Sequence, residues 1–207
     1  MELRRIDKDS IAYLYDNNLS RDFPANEIKP LETILSLVDE GRYIAYGFFE
    51  QEELYGYAFF TTTGDGQGIL LDYFAVKSAY RSQGYGSRFL RMIKEELKAD
   101  YLCVMVEVEA IDYAKNQADA ALRFRRISFY ERNGLRHSGL ISRFCGEHFI
   151  ILLIDLQDSV DDSRLATMLT DVYCAYFNAD YVRDSIIIEN APHSTVYAGV
   201  DYAKITC

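Results

Sequence analysis

Three kinds of residue in this chain stand at spacings that could do chemistry. The first is a glycine turn. An apolar run, Ile69 to Val76, leads into a polar turn, Lys77 to Gly86, and an amphipathic stretch follows it. The turn holds Arg81-Ser82-Gln83-Gly84-Tyr85-Gly86, and its two glycines lack the Cβ that would keep a ligand away from the backbone. Both can adopt φ > 0. The first N–H groups of the helix expected next have no partner within it and lie at the positive end of its dipole. Strand, turn and helix start together predict a phosphate cradle, to which successive loop N–H groups can add a nest. A third glycine spaced as in dinucleotide folds is missing, and so is the Gly-Lys-Ser/Thr of nucleotide hydrolases.

The second kind is a carboxylate in an apolar strand. Tyr101 to Glu109 reads as a strand buried on both faces until Glu107 and Glu109, which alternation places on one face. A carboxylate there is costly unless it is hydrogen-bonded, at the surface or functional. Asp72, within the run before the glycine turn, has apolar neighbours too and competes for any role as base or cation anchor. The third kind is a tyrosine near a helix end. Ala120 to Asn133 predicts a helix stopped by Gly134 and Leu135, with Tyr130 in its last turn. The chain has 17 tyrosines, so Tyr130 is singled out only by its surroundings.

The elements that position these residues follow from hydrophobic periodicity. Glu2 to Ile6 predicts a first strand, and Asp7 to Asn17 a helix capped at Asp7 or Asp9. A second helix is expected over Glu27 to Glu40, stopped by Gly41. Tyr43 to Glu50 and Leu54 to Thr62 read as a hairpin around Gln51-Glu52-Glu53. The helix after the glycine turn runs from Tyr85 to about Lys98, with Phe89, Leu90, Ile93 and Leu97 inward. Gly139 to Cys145 and His148 to Leu156 predict a second hairpin, joined by Gly146-Glu147. In the last fifty or so residues, a helix is expected from about Arg164 to Phe177, then strands over Asp184 to Glu189 and Thr195 to Ile205.

Composition bounds the class. The chain has 207 residues, 49% of them hydrophobic, so one globular domain is the default. The net charge of −10 argues against nucleic-acid binding. No apolar run is long enough to span a membrane, and the first residues lack a signal peptide's apolar segment, so the cytoplasm is expected. The four cysteines are scattered and the histidines isolated, so neither a metal site nor a redox motif is expected.

Two motifs carry a family resemblance. Leu71-Asp72-Tyr73-Phe74-Ala75-Val76, four residues, then Arg81-x-x-Gly84-x-Gly86 and an amphipathic helix resemble the acyl-CoA-binding segment of the GNAT superfamily of N-acyltransferases. Arg125-Arg126-Ile127-Ser128-Phe129-Tyr130-Glu131-Arg132-Asn133-Gly134-Leu135 resembles that family's second motif. The resemblance implies an α/β fold with a mixed, mostly antiparallel sheet flanked by helices on both faces. It covers roughly Tyr43 to Leu156, so residues 1–156 are expected to form the acetyltransferase core and 157–207 an extension packed on the same domain. The central strand and its neighbour, which ends at Glu107, are expected to splay apart.

What the resemblance implies about function is specific. Backbone groups of Phe74, Ala75 and Val76 would meet the pantetheine of acetyl-CoA, and Arg81, Ser82, Gln83, Gly84, Tyr85, Gly86 and Ser87 its pyrophosphate. An acetyl group would pass directly to a primary amine of a small molecule or peptide. Glu107 would be the general base, with Asp72 in competition, and Tyr130 would protonate the departing thiolate. A phenol with a pKa of about 10 lies close to an alkanethiol, so that transfer is roughly thermoneutral. The chain departs from the family at Arg123, where an asparagine is frequent. Two other readings stay open: an acyl-CoA sensor without turnover, and an interaction module using the aromatic tail. The tail is free to cover the cleft, pair with the sheet edge or mediate homodimer contacts.

Overall fold

A computed structural model describes residues 1–191, in two compact units divided after Leu102. The first unit contains β1 (Glu2–Arg5), α1 (Lys8–Leu14), the single turn α2 (Ser20–Asp22), α3 (Leu31–Asp39), β2 (Tyr43–Glu50), β3 (Glu53–Thr62), β4 (Gly68–Val76) and α4 (Tyr85–Leu97). Its strands pair in the order β1-β2-β3-β4, all antiparallel. Helical segments cover both faces. On one, the Tyr73 ring meets Phe23 edge-on at 5.0 Å, and its hydroxyl binds the backbone of Glu27 and Lys29. On the other, Phe74 stacks on Phe89 of α4 at 5.1 Å. The α4 stripe of Phe89, Leu90, Ile93 and Leu97 is buried, as its spacing predicts.

Asp7 caps α1, accepting from the Ser10 N–H at 2.8 Å. The helix expected from Glu27 begins only at Leu31, because Pro30 keeps Lys29 out of helical geometry and serves as the N-cap. Gly41 closes α3 with φ +73°. The β3–β4 ladder contains a bulge. Phe59 pairs with Tyr73 and Phe60 with Leu71, which leaves Asp72 as the extra residue. A bulge re-aims its side chain, and here it turns Asp72 out of the simple alternation that the sequence suggests.

The second unit contains β5 (Cys103–Glu109), α5 (Gln117–Arg132), β6 (Arg136–Phe144), β7 (Glu147–Asp155), α6 (Asp162–Tyr176), α7 (Ala179–Ser185) and β8 (Ile187–Asn190). Its strands pair antiparallel in the order β5-β7-β6-β8. The β6–β7 turn is Cys145-Gly146, one residue earlier than expected, with φ +52° and +79°. Two positive φ values suit a tight hairpin. The expected strand over Asp184 to Glu189 is corrected: α7, capped by Asn178, runs through Ser185, and the strand starts at Ile187. The strand expected over Thr195 to Ile205 lies outside the described residues. The extension that follows β7 packs α6 on β6 and adds β8 as its edge strand.

Gly56 fixes how closely β3 approaches the end of β4. A Cβ there would stand 2.5 Å from the Ala75 carbonyl oxygen. Gly56→Ala should therefore push β4 away and destabilise the protein by about 1–3 kcal/mol. Thermal unfolding should register this as a fall in Tm of roughly 3–10 °C.

Candidate functional site

The glycine turn has the form that an anion cradle requires. After β4 the chain makes one 3₁₀ turn, Ser78–Tyr80, and passes through two left-handed residues, Ser82 at φ +62° and Gly84 at φ +83°. Gly84 is the N-cap of α4, and no side chain caps it. Open space surrounds a Cβ built on Gly84, so φ demands the glycine, not crowding. Gly86 differs from the expectation of φ > 0, for it lies inside the first turn of α4 with helical geometry. The first helical bond at this end runs from Arg88 N–H to the Gly84 carbonyl at 3.1 Å. The N–H groups of Tyr85, Gly86 and Ser87 therefore begin the helix without partners inside it, and no acidic residue stands in that turn. Bare donors and an unopposed dipole favour a phosphate.

Two side chains of this loop have structural work. Arg81 donates from Nε to the Val76 carbonyl at 2.7 Å and from its guanidinium to Asp22 at 2.6 Å. Asp22 also accepts from the Tyr57 hydroxyl at 2.9 Å. Gln83 donates to the Ala79 carbonyl at 2.9 Å. Along β4, Lys77 N–H bonds to Tyr55 and Ala75 faces Tyr57, so both spend their backbone groups on β3. Alternation then turns the backbone groups of Phe74 and Val76 to the edge opposite β3. Of the three β4 residues expected to meet pantetheine, Ala75 spends its backbone groups on β3, and Phe74 and Val76 turn theirs away from it.

The candidate carboxylates differ in what holds them. Asp72 belongs to the first unit, and its side chain is 4% exposed. It pairs with the Lys29 ammonium and accepts from the Tyr43 hydroxyl at 2.6 Å. The Lys29 ammonium also lies 5.4 Å from the Tyr73 ring centre. Glu109 is ion-paired with Arg126 at 2.5 Å and Arg123 at 3.7 Å. Glu107, half-buried in the second unit, accepts at Oε1 from Ser142 at 2.7 Å and from the Tyr173 hydroxyl. Those two hydroxyls carry no charge. Arg123, at the position of departure from the family, is 1% exposed and bonds the Ala110 carbonyl at 2.8 Å and Asp119 at 3.2 Å. It braces the start of α5 against the end of β5.

Tyr130 stands near the end of α5, where Gly134 (φ +86°) turns the chain and Leu135 N–H returns to the Tyr130 carbonyl at 3.1 Å. Burial pushes its hydroxyl pKa up to about 12, against a small opposing effect of Arg126. Among the described residues nothing hydrogen-bonds that hydroxyl, so it remains a protonated, uncommitted donor. His137 binds Glu131 at 2.8 Å, and His148 stacks on Tyr113 at 3.6 Å. Among the described residues no cluster of His, Cys, Asp or Glu could hold a metal ion, and no helix is long and apolar enough to cross a membrane.

Sequence reasoning missed Ser142 and Tyr173. A signal for Tyr173 existed: it falls four residues after Leu169 and eight after Leu165, on the buried stripe of α6. A buried tyrosine hydroxyl needs a partner.

Residues 39–136 match the family model of the acetyltransferase (GNAT) domain. No curated protein sequence matches the chain. Solved structures resemble it in fold. A putative GNAT acetyltransferase from Bacteroides thetaiotaomicron superposes with a TM-score of 0.61 at 19% identity, over 85% of this chain and 98% of that one. The ribosomal-protein-S18-alanine N-acetyltransferase from Escherichia coli gives 0.55 at 20%, over 78% and 97%. An aminoglycoside 6′-N-acetyltransferase in complex with coenzyme A gives 0.55 at 16%, over 78% and 100%.

The Lys29–Asp72 pair can be tested alone. Lys29→Met leaves a deeply buried carboxylate without its cation and should destabilise the protein by about 3 kcal/mol in urea unfolding. Asp72→Asn in the same chain should restore most of that loss.

Proposed function

We propose that this chain, whose residues 39–136 match the acetyltransferase (GNAT) domain, is an acyltransferase of that superfamily and transfers an acetyl group from acetyl-CoA to a primary amine by direct attack. The bare N-terminus of α4 behind the left-handed Ser82 and Gly84 carries this reading, since it suits a pyrophosphate and has no structural use for its donors. Phe74 and Val76 offer backbone groups to the pantetheine, and a backbone N–H near Val76 holds the oxyanion. The loop residues Arg81 to Ser87 enclose the pyrophosphate, with Arg81 fixing the loop and the helix N–H groups making the contact.

The ammonium of the acceptor gives a proton to the Glu107 carboxylate, directly or through a water, and becomes a nucleophile. It attacks the thioester carbonyl, and the C–S bond breaks as the tetrahedral intermediate collapses. The thiolate takes the Tyr130 proton, which the nitrogen's second proton replaces through solvent. Glu107 releases its proton to solvent, so the net products are amide, thiol and one proton. Glu107 accepts from two neutral hydroxyls, whereas Asp72 is committed to the Lys29 ammonium and the Tyr43 hydroxyl, so Glu107 suits the base role better. Proximity supplies much of the acceleration. Within the second unit α6 reaches Glu107, which supports reading residues 157–207 as an extension of the same domain.

Calorimetric titration of acetyl-CoA into wild type and Gly86→Glu tests the cradle. The variant adds bulk and negative charge at the first turn of α4 and should weaken binding at least tenfold, about 1.4 kcal/mol. A folded wild type that binds no acyl-CoA overturns the reading.

Tyr130→Phe should lower kcat by about 10²–10³ with acetyl-CoA affinity unchanged. An unchanged kcat would assign the acid to water. The phenol donates only while protonated, and its pKa stands at about 12, not the usual 10.0. The wild-type rate should therefore show no loss from Tyr130 as the pH passes 10.0.

A further inference from the structure

We propose that Tyr173 of α6, together with Ser142 of β6, is a positioning residue for Glu107, fixing the carboxylate that takes the acceptor's proton. The proposal rests on the acyl-transfer reading above and adds to it a part of the chain beyond the matched span 39–136. Both hydroxyls converge on one oxygen, Oε1 of Glu107, from two different elements. Neither has access to water: Ser142 is 0% and Tyr173 2% exposed. Burial, and then the Glu107 charge, raise the Tyr173 pKa well above the ordinary phenol value, so this hydroxyl stays a donor at every working pH.

Packing sets where that hydroxyl points. Leu165, Met168, Leu169 and Val172 bury the same stripe of α6, and the Tyr173 ring lies against Phe144 at 5.3 Å. The start of α6 is docked on β6. The Asp162 carboxylate accepts from Gly139 N–H at 3.1 Å, and a Cβ on Gly139 would fall 2.2 Å from one of its oxygens. A helix held at its first turn and along its stripe carries Tyr173 to Glu107 with little freedom.

The chemistry favours this pairing. A donor to the ionised form lowers a carboxylate's pKa, and two neutral donors do so without the opposing charge that would suppress proton uptake. On β7, Ile151 pairs opposite Glu107 and Phe149 opposite Ser142, both apolar, while Glu147 further along the same face is ion-paired with Lys115 at 3.0 Å. Along β5, Glu109 lies two residues on, on the same face, and is held by Arg126 and Arg123 of α5. On β6, Arg143 pairs with Glu189 at 3.0 Å.

The test is an NMR titration of the glutamate side-chain carboxyls in the full chain, with Glu107 assigned through Glu107→Gln. Tyr173→Phe keeps the ring and removes the donor; Ser142→Ala is an independent second variant. Each should raise the Glu107 pKa by roughly one unit. The acidic limb of kcat/KM should move up by the same amount, with the wild-type rate recovered on its alkaline side, while acetyl-CoA affinity and Tm stay near wild type. A purely structural role would lower Tm and leave the limb in place. An unmoved Glu107 titration in folded variants overturns the proposal. Wild-type rate and limb in Glu107→Gln remove the base itself, and the positioning role falls with it whatever the NMR shows.

Discussion

The site depends on how β4 ends. A strand that stays paired on one edge must leave alternate backbone groups pointing to the other, and β4 does so at Phe74 and Val76. It then has to become a helix within a few residues without any side chain filling the helix start. Ser82 and Gly84 make that possible by taking left-handed conformations, which reverse the chain and leave the first N–H groups of α4 bare. Arg81 fastens the turn, from Val76 on one side to Asp22 on the other. The loop is thus held by contacts behind it while its donors face outward, the preorganisation an anion site needs.

The second constraint is the stabilisation of buried charge. A carboxylate on a sheet must be paired or hydrogen-bonded, and the partner decides what it can still do. Lys29 makes Asp72 an anchor for the segment before α3, and Arg123 and Arg126 make Glu109 a brace for α5. Glu107 accepts from the neutral hydroxyls of Ser142 and Tyr173, the arrangement on which its proposed role as base rests. Three carboxylates that look alike in the sequence are held in three different ways by their neighbours.

Much of this was legible in the sequence where local signals decide. The glycine turn, the α4 stripe, the β2–β3 hairpin and the Gly134 stop each rest on residues a few positions apart. Hydrophobic periodicity extends the second helix back to Glu27, although Pro30 marks its true start in the sequence itself. The bulge at Asp72 was not legible: no glycine or proline marks it, and only pairing with β3 reveals it. The short α7 is hidden in the sequence behind Ile186, Ile187 and Ile188, which predict strand, although Asn178 caps the helix by accepting from the Tyr181 N–H. Tyr173 and Glu107 lie 66 residues apart, and no local pattern joins them.

The raised Tyr130 pKa bears on whether such a phenol can serve as an acid. Against a free thiol at about 8.5, a donor at about 12 makes proton transfer uphill by several pKa units, roughly 5 kcal/mol. That comparison sets a buried donor against an acceptor in water. On the proposed path the thiolate is generated beside the same hydroxyl, out of water, where burial penalises its charge for the same reason that it penalises the phenolate's. Desolvation raises both values, so the gap between them shrinks toward the near match of phenol and thiol in a common medium. The hydroxyl's lack of a partner among the described residues acts in the same direction, because no existing hydrogen bond has to break before the proton moves. A partly buried tyrosine with no hydrogen-bond partner among the described residues is therefore a poor acid for water, and the proposed path asks it to protonate only a thiolate formed against it.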